Sequence, residues 1–280
     1  MARPMKTSQK ILTHTLLIMA SIIALFPMIW ILSTSFKPRE DVFSRELRII
    51  PENFTWDNYI YVLTFKDGIF LKWVMNSVFV AGATTLVALF LASTAAYAFS
   101  RFKFPGRRAG LFSFLVTQMF PGALLIVPLY TILRDYGLIN TYGGLILSYS
   151  TVALPFCVWM LKGFFDTIPV ELEEAARIDG LNSFGTFYRI VLPLALPGLA
   201  VTAFFSFITA WNEFMFALTF MNSEEKFTLP VGLRTFVYQF NTDWHWLSAG
   251  SIMITIPVLI VFAIASKWII SGLTTGGVKG

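Results

Sequence analysis

PVELEEAARIDGLNSFGTFYRIVLP, from Pro169 to Pro193, is a small folded motif written between two long apolar runs. Pro169 suits the first turn of a helix, where its missing N–H would have had no partner anyway. Glu171, Glu173 and Glu174 follow, and carboxylates near a helix N-terminus complement the macrodipole. Arg177 stands four residues after Glu173 and three after Glu174, the spacing at which helical side chains meet. Gly180 can take the left-handed conformation that ends a helix. Ser183 is the expected N-cap of a second short helix, with Phe184, Phe187, Tyr188 and Val191 on one stripe. Pro193 and Pro197 punctuate what comes next. The reading is helix, tight turn, helix.

Working outward, the runs on either side are too apolar for a soluble domain. Hydrophobic residues make up 56% of the 280 residues and charged residues 13%, and mean hydropathy is +0.69. A soluble domain is about 25% charged, so a soluble enzyme is excluded. Disorder is excluded as well, by 29 Phe and 8 Trp. A membrane helix needs roughly 20 mainly apolar residues. Six stretches qualify, near 11–35, 73–100, 109–133, 144–161, 197–221 and 246–268. The expected fold is an all-α polytopic membrane protein with six transmembrane helices and a single transmembrane domain, 1–280. The N-terminal run is too long for a signal peptide and no small-residue cleavage site follows it, so it reads as an uncleaved span. Pro121 and Pro128 in the third span read as tolerated kinks.

Charge placement orients the chain. Arg101, Lys103, Arg107 and Arg108 crowd the loop between spans two and three, and Arg3, Lys6 and Lys10 precede span one. The positive-inside rule then puts both termini in the cytoplasm. The basic pI near 9.3 is thereby explained by orientation, and nucleic acid is not an expected partner. Loops 37–72 and 222–245 fall outside, and 162–196 falls inside. That inner loop breaks the charge rule: 162–189 holds Lys162, Arg177 and Arg189 against Asp166, Glu171, Glu173, Glu174 and Asp179. An interfacial hairpin that only connects spans would satisfy this pattern. A docking surface would satisfy it too, because Ala175 and Ala176 leave room for close approach beside carboxylates that can pair with basic groups.

Glu174-Ala175-Ala176, three residues, Gly180, nine residues, Ile190, one residue, Leu192-Pro193 resembles the EAA loop of ABC importer permeases. Pro51 to Tyr59, Ala96 to Gly106, Gln118 to Pro121 and the tail Gly272 to Gly280 are similar to carbohydrate-type members, in particular the G-type permease of maltose and maltodextrin importers. The resemblance implies a type I importer permease fold in the plasma (inner) membrane of a bacterium or archaeon. It implies a second permease subunit as heterodimer partner, two ATPase subunits that bind ATP and Mg, an external solute-binding protein and a carbohydrate substrate. This chain would hold no cofactor of its own and would not be an enzyme. Maltose or maltodextrin is the first expectation; trehalose, other oligosaccharides and glycerol phosphate stay open.

Site residues follow from the same resemblance. Glu173, Glu174, Ala175, Ala176, Asp179, Gly180, Ile190, Leu192 and Pro193 would couple to the ATPase, with Glu173, Glu174 and Asp179 pairing with basic residues of its cleft. Gly276, Gly277, Val278, Lys279 and Gly280 would form an ATPase-contacting tail, although on sequence alone they read as a frayed terminus. Tyr238, Gln239, Phe240, Asn241, Thr242 and Asp243 would belong to a loop meeting the binding protein, although aromatics there also suit an interfacial belt. Asn212 and Glu213 lie within span five, where a carboxylate is costly. They line a translocation path or a subunit interface, or make a structural hydrogen bond. No catalytic set and no metal cluster is expected: Cys157 is single, and His14 and His245 fall on opposite sides of the membrane. A six-span secondary transporter is the alternative. It would want several intramembrane charges and inverted repeats, and only Glu213 is available.

Overall fold

The computed structural model describes residues 6–44, 46, 48–238 and 242–277. The principal helices are α1 (Thr7–Ser35), α2 (Asp57–Arg101), α3 (Arg107–Met119), α4 (Ile126–Asp135), α5 (Tyr142–Thr167), α6 (Val170–Ile178), α7 (Ser183–Thr186), α8 (Leu196–Trp211), α9 (Met215–Phe220) and α10 (Trp244–Gly277). Among the described residues the one pairing of extended backbone is an isolated bridge between Val237 and Thr242. Four helices are long and apolar enough to span a membrane, and six spans result when each of two bent pairs counts as one. Contacts divide the chain into two units, 1–70 with 233–256 and 71–232 with 257–280.

In the first unit, α1 runs for 29 residues, about 44 Å at 1.5 Å per residue, enough to cross a bilayer. Its last turn is closed by the following loop. The Asn58 amide donates to the carbonyls of Ser35 (2.9 Å) and Lys37 (2.8 Å), supplying partners that a helix C-terminus otherwise lacks. Phe36 packs between Phe54 (4.6 Å, stacked) and Trp56 (5.0 Å, edge-on). The loop expected over 37–72 therefore contains the first turns of α2. That helix is not continuous: Lys66, Asp67 and Gly68 take positive φ and break it before the membrane segment begins.

The second unit holds a core shared by α2 and α5. Ala88, Ala92 and Ala96 lie four residues apart on one face of α2 and are fully buried. They share a cluster with Ala153, Cys157, Val158, Leu161 and Phe165 of α5. Small residues at this spacing let membrane helices approach closely, where packing rather than hydrophobic transfer drives association. Cys157 is free and buried, a small apolar residue in effect.

Two helix pairs are sharply bent. The third, read as one run over 109–133, breaks at Pro121, where α3 and the segment 122–135 meet at 98°. Phe120 is extended (ψ 127°), as a residue before proline tends to be, and Pro121 cannot continue the ladder. Thirteen residues of α3 reach only about 20 Å, so the expected mild kink is a sharp break. Pro128 sits harmlessly in the first turn of α4. The other bend, 76° at Ala195 between Pro193 and Pro197, joins Ser183–Leu194 to Leu196–Trp211 and so falls just before the fifth span expected over 197–221. Just beyond the bend α8 closes on α5: a Cβ at Gly198 would run into the Phe164 ring.

Candidate coupling site

The hairpin α6–α7 has the local structure its sequence encodes. Its turn is a Schellman motif: Leu181 N–H donates to the Ala176 carbonyl and Gly180 N–H to the Arg177 carbonyl, both at 3.0 Å. Gly180 carries the left-handed φ of +89° that this geometry requires. The cap of the second helix is Asn182 rather than Ser183: its side chain accepts from Gly185 N–H at 2.8 Å. A π-helical turn over Phe187–Val191 follows. The expected stripe is divided, with Phe187 and Val191 in the core while Phe184 and Tyr188 are exposed.

The main departure from the sequence reading is Glu173. It is fully buried, so its carboxylate does not face outward toward another subunit. Nor does it pair with Arg177, four residues on. Arg101 Nε, at the end of α2, donates to its Oε1, with the two side chains 8% and 1% exposed. Tyr97 Oη, one turn earlier, donates to its Oε2 at 2.8 Å. A buried carboxylate needs a counter-charge and filled acceptor sites, and α2 supplies both. The Arg177 guanidinium lies beside the same Tyr97 hydroxyl.

Arg101 ties further groups together. Its Nη2 donates to the Ile168 carbonyl (2.8 Å) and its Nη1 to Ser100 Oγ (3.0 Å). Ser100 Oγ donates to Asp166 Oδ1 (2.6 Å), and Lys162 Nζ pairs with Asp166 Oδ2 (2.5 Å). Lys162, Asp166, Ser100, Arg101, Glu173 and Tyr97 thus form one polar chain joining the ends of α2 and α5 to α6. The apolar cluster of Tyr97, Phe165, Ile168, Phe187 and Val191 packs beside it.

Ala176 is buried with Glu173, so it seats the helix from within and is not part of an outer small face. Glu174, Ala175 and Asp179 are exposed. Ile178, at 87% exposure, and Phe184, at 75%, stand open to the surroundings. Leu192 packs against the core cluster, Ile190 is half-buried and Pro193 exposed. Sequence reading missed Tyr97, Ser100, Arg101, Lys162 and Asp166 as site residues. Arg101 had been absorbed into the charge count of its loop, and no spacing rule links it to a residue 72 positions away.

Glu213 makes structural hydrogen bonds, one of the readings its sequence position left open. It lies where span five breaks between α8 and α9. Its carboxylate accepts from Phe216 N–H (2.9 Å) and Ala217 N–H (3.3 Å), capping α9 from within the chain. Asn212 is exposed. In the loop before α10, Tyr238 is exposed, Thr242 forms the isolated bridge and Asp243 is buried, which removes Asp243 from a contact surface. Gln239, Phe240 and Asn241 lie outside the described residues, as do Val278, Lys279 and Gly280. Gly276 and Gly277 form the last residues of α10. Among the described residues no group of His, Cys, Asp and Glu could hold a metal ion.

The chain is helical, with four to six candidate membrane spans and a short hairpin packed on two of them, and comparison with known proteins supplies the family. Residues 86–274 match the family described as binding-protein-dependent transport system inner membrane component, and the chain belongs to it. The inner membrane ABC transporter permease protein YcjP of Escherichia coli is 39% identical over 280 residues, covering all of both chains. The trehalose transport system permease protein SugB of Mycobacterium tuberculosis is 39% identical over 259 residues, 92% of this chain and 93% of that one. A permease from the crystal structure of a bacterial ABC transporter that imports the acidic polysaccharide alginate superposes with TM-score 0.83 at 26% identity, covering 96% of this chain and 100% of that one. The protein is therefore a multi-pass permease of a binding-protein-dependent ABC importer.

Proposed function

We propose that the chain is one of two unlike permease subunits of a carbohydrate importer, and that α6 and α7 are where a separate ATPase takes hold. The observation that carries this reading is the two-sidedness of α6. Glu173 and Ala176 are buried, Glu173 against Tyr97 and Arg101 of α2, while Glu174, Ala175 and Ile178 are left exposed on the other side. Two ATPase copies would bind ATP and Mg, and an external binding protein would deliver the substrate. The terminal glycine-rich tail and the outer loop around Tyr238 would add contacts to the ATPase and the binding protein respectively. Bacterial inner membrane suits the relatives.

The substrate is an oligosaccharide or disaccharide in this reading. The relative SugB is named for trehalose and the structural neighbour imports alginate, so maltose or maltodextrin is one choice within a class. Fold alone does not select among them. The test is reconstitution with the partner permease, ATPase and binding protein, followed by a sugar screen read as stimulated ATP hydrolysis. Stimulation by a disaccharide or oligosaccharide is expected. Stimulation by amino acids or peptides with none by sugars would overturn the substrate class, and transport without ATP would overturn the coupling.

A further inference from the structure

Between α2 and α3 the chain forms an open cleft of about 480 Å³, lined by Lys103, Phe104, Gly106, Arg107, Arg108 and Ala109. Three of these six residues are cationic, and no side chain in the lining can accept a hydrogen bond. Among the described residues none of the three cations has a carboxylate partner. The nearby carboxylates are committed elsewhere: Asp166 to Ser100 and Lys162, and Glu173 to Tyr97 and Arg101. Lys103 and Arg108 are exposed, and Arg107 is half-buried with Nη2 3.5 Å from the Ser100 carbonyl. A cleft of triple positive charge with no acceptor among its side chains fits a ligand that is anionic and rich in acceptors, which is the chemistry of a phosphate.

The surroundings select the source. Phe102 and Phe104 flank the cations at 41% and 40% exposure. α3 leaves the cleft as an apolar helix without a buried residue, and Phe112, one turn in, is 65% exposed. Exposed apolar rings beside cations, at the foot of an exposed helix in an apolar run, suit the membrane–water boundary, where apolar surface and charged heads are each accommodated. This is also the loop that carries the inward-orienting charge, on the side where anionic headgroups attract basic residues. We propose that the cleft formed by Lys103, Arg107 and Arg108 binds the phosphate of an anionic phospholipid headgroup in the inner leaflet.

The test is titration of the full detergent-solubilised chain with short-chain phosphatidylglycerol, phosphatidylcholine or inorganic phosphate, read as bound lipid by native mass spectrometry. Phosphatidylglycerol should be preferred over phosphatidylcholine. Attraction of about 1 kcal/mol per basic residue corresponds to a roughly five-fold loss of apparent affinity for Arg108→Gln and about 25-fold for Lys103→Gln with Arg108→Gln. Arg101 and Arg107 remain in both variants to hold the orientation, and protease accessibility of the loop checks it. Arg134→Gln, which removes a cation paired with Asp135 at the end of α4, should change nothing. Equal binding of the two lipids, an equal loss in Arg134→Gln, or retention unchanged in the double variant would overturn the site. Displacement by inorganic phosphate at matching concentration would make it a soluble-anion site and overturn the lipid. Loss of ATPase co-purification without loss of lipid would assign the surface to a protein partner and overturn it equally.

Discussion

Replacing Glu173 by Ala should detach α6 without touching any outward-facing residue. The substitution leaves the Arg101 guanidinium 8% exposed, holding only the Ile168 carbonyl and Ser100 Oγ, and strands Tyr97 Oη without its acceptor. Removing one partner of a buried ion pair costs about 3–5 kcal/mol, because the remaining charge stays desolvated. Neither side chain is exposed enough for solvent screening to reduce that figure. At about 1.4 kcal/mol per factor of ten, the seated hairpin loses about 10²- to 4 × 10³-fold in population against its released form. Hydrogen exchange of residues 171–181 in nanodiscs reads this directly. Arg101→Met combined with Glu173→Met fills the same space without charge and should recover most of the protection, since well-packed apolar replacements of buried pairs are often neutral. Stimulated ATP hydrolysis in the assembled importer should follow the exchange result in both variants. Protection within three-fold of wild type in Glu173→Ala would refute the seat. A double variant that regains protection but not stimulation would refute the reasoning in another way, since it would return Glu173 to direct contact with the ATPase.

Gly180→Ala should cost about 1–2 kcal/mol through its left-handed φ and loosen the Schellman turn, seen as faster exchange of the Gly180 and Leu181 amides. Glu213→Ala should lose about 0.5–2 kcal/mol as a missing cap while Glu213→Gln retains one acceptor and most of the stability, so near-wild-type transport is expected for Gln at equal expression; abolished transport in Gln would give the charge itself a function. Gly198→Ala should destabilise by about 1–3 kcal/mol through overpacking against Phe164, measured as a lowered unfolding temperature in detergent, and Phe164→Ala in the same chain should relieve part of the loss.

What could be read from the sequence was whatever follows from local rules. Gly180 was expected to be left-handed because nothing else ends a helix so cheaply, and Pro193 with Pro197 marked the bend before α8. Span existence followed from apolar length. The failures are cases where a distant residue decides. Glu173 and Glu174 look equivalent in sequence, and only Arg101 and Tyr97, more than 70 positions away, separate them. Glu213 is not such a case: a structural hydrogen bond was among its sequence readings, and the break at Asn212 supplies the N–H groups of α9 that it caps. Pro121 was legible as a kink, but its angle depends on Phe120 leaving the helical region and on Gly122 beginning a new turn in another direction.

A nine-residue helix is too short to hold itself together in water, since isolated helices below about 12–15 residues are marginal. Its order must come from what it sits on. The helical period divides α6 into two sides with different work: Glu173 and Ala176, three apart, face the seat, and Glu171, Glu174, Ala175 and Ile178 face away. The seat is built from α2 and α5 together, because Arg101 bonds both Glu173 and the Ile168 carbonyl beyond the end of α5. A force applied to the outer side therefore cannot be absorbed by bending a free loop. It is delivered through a buried ion pair to α2 and through the Phe165–Phe187 packing to α5. Substitutions on the two sides should then be separable: Glu174→Lys should weaken ATPase retention with exchange protection intact, whereas Glu173→Ala should lose protection first and retention as its consequence. Equal loss of protection in both variants would mean that the two sides of α6 do not act independently.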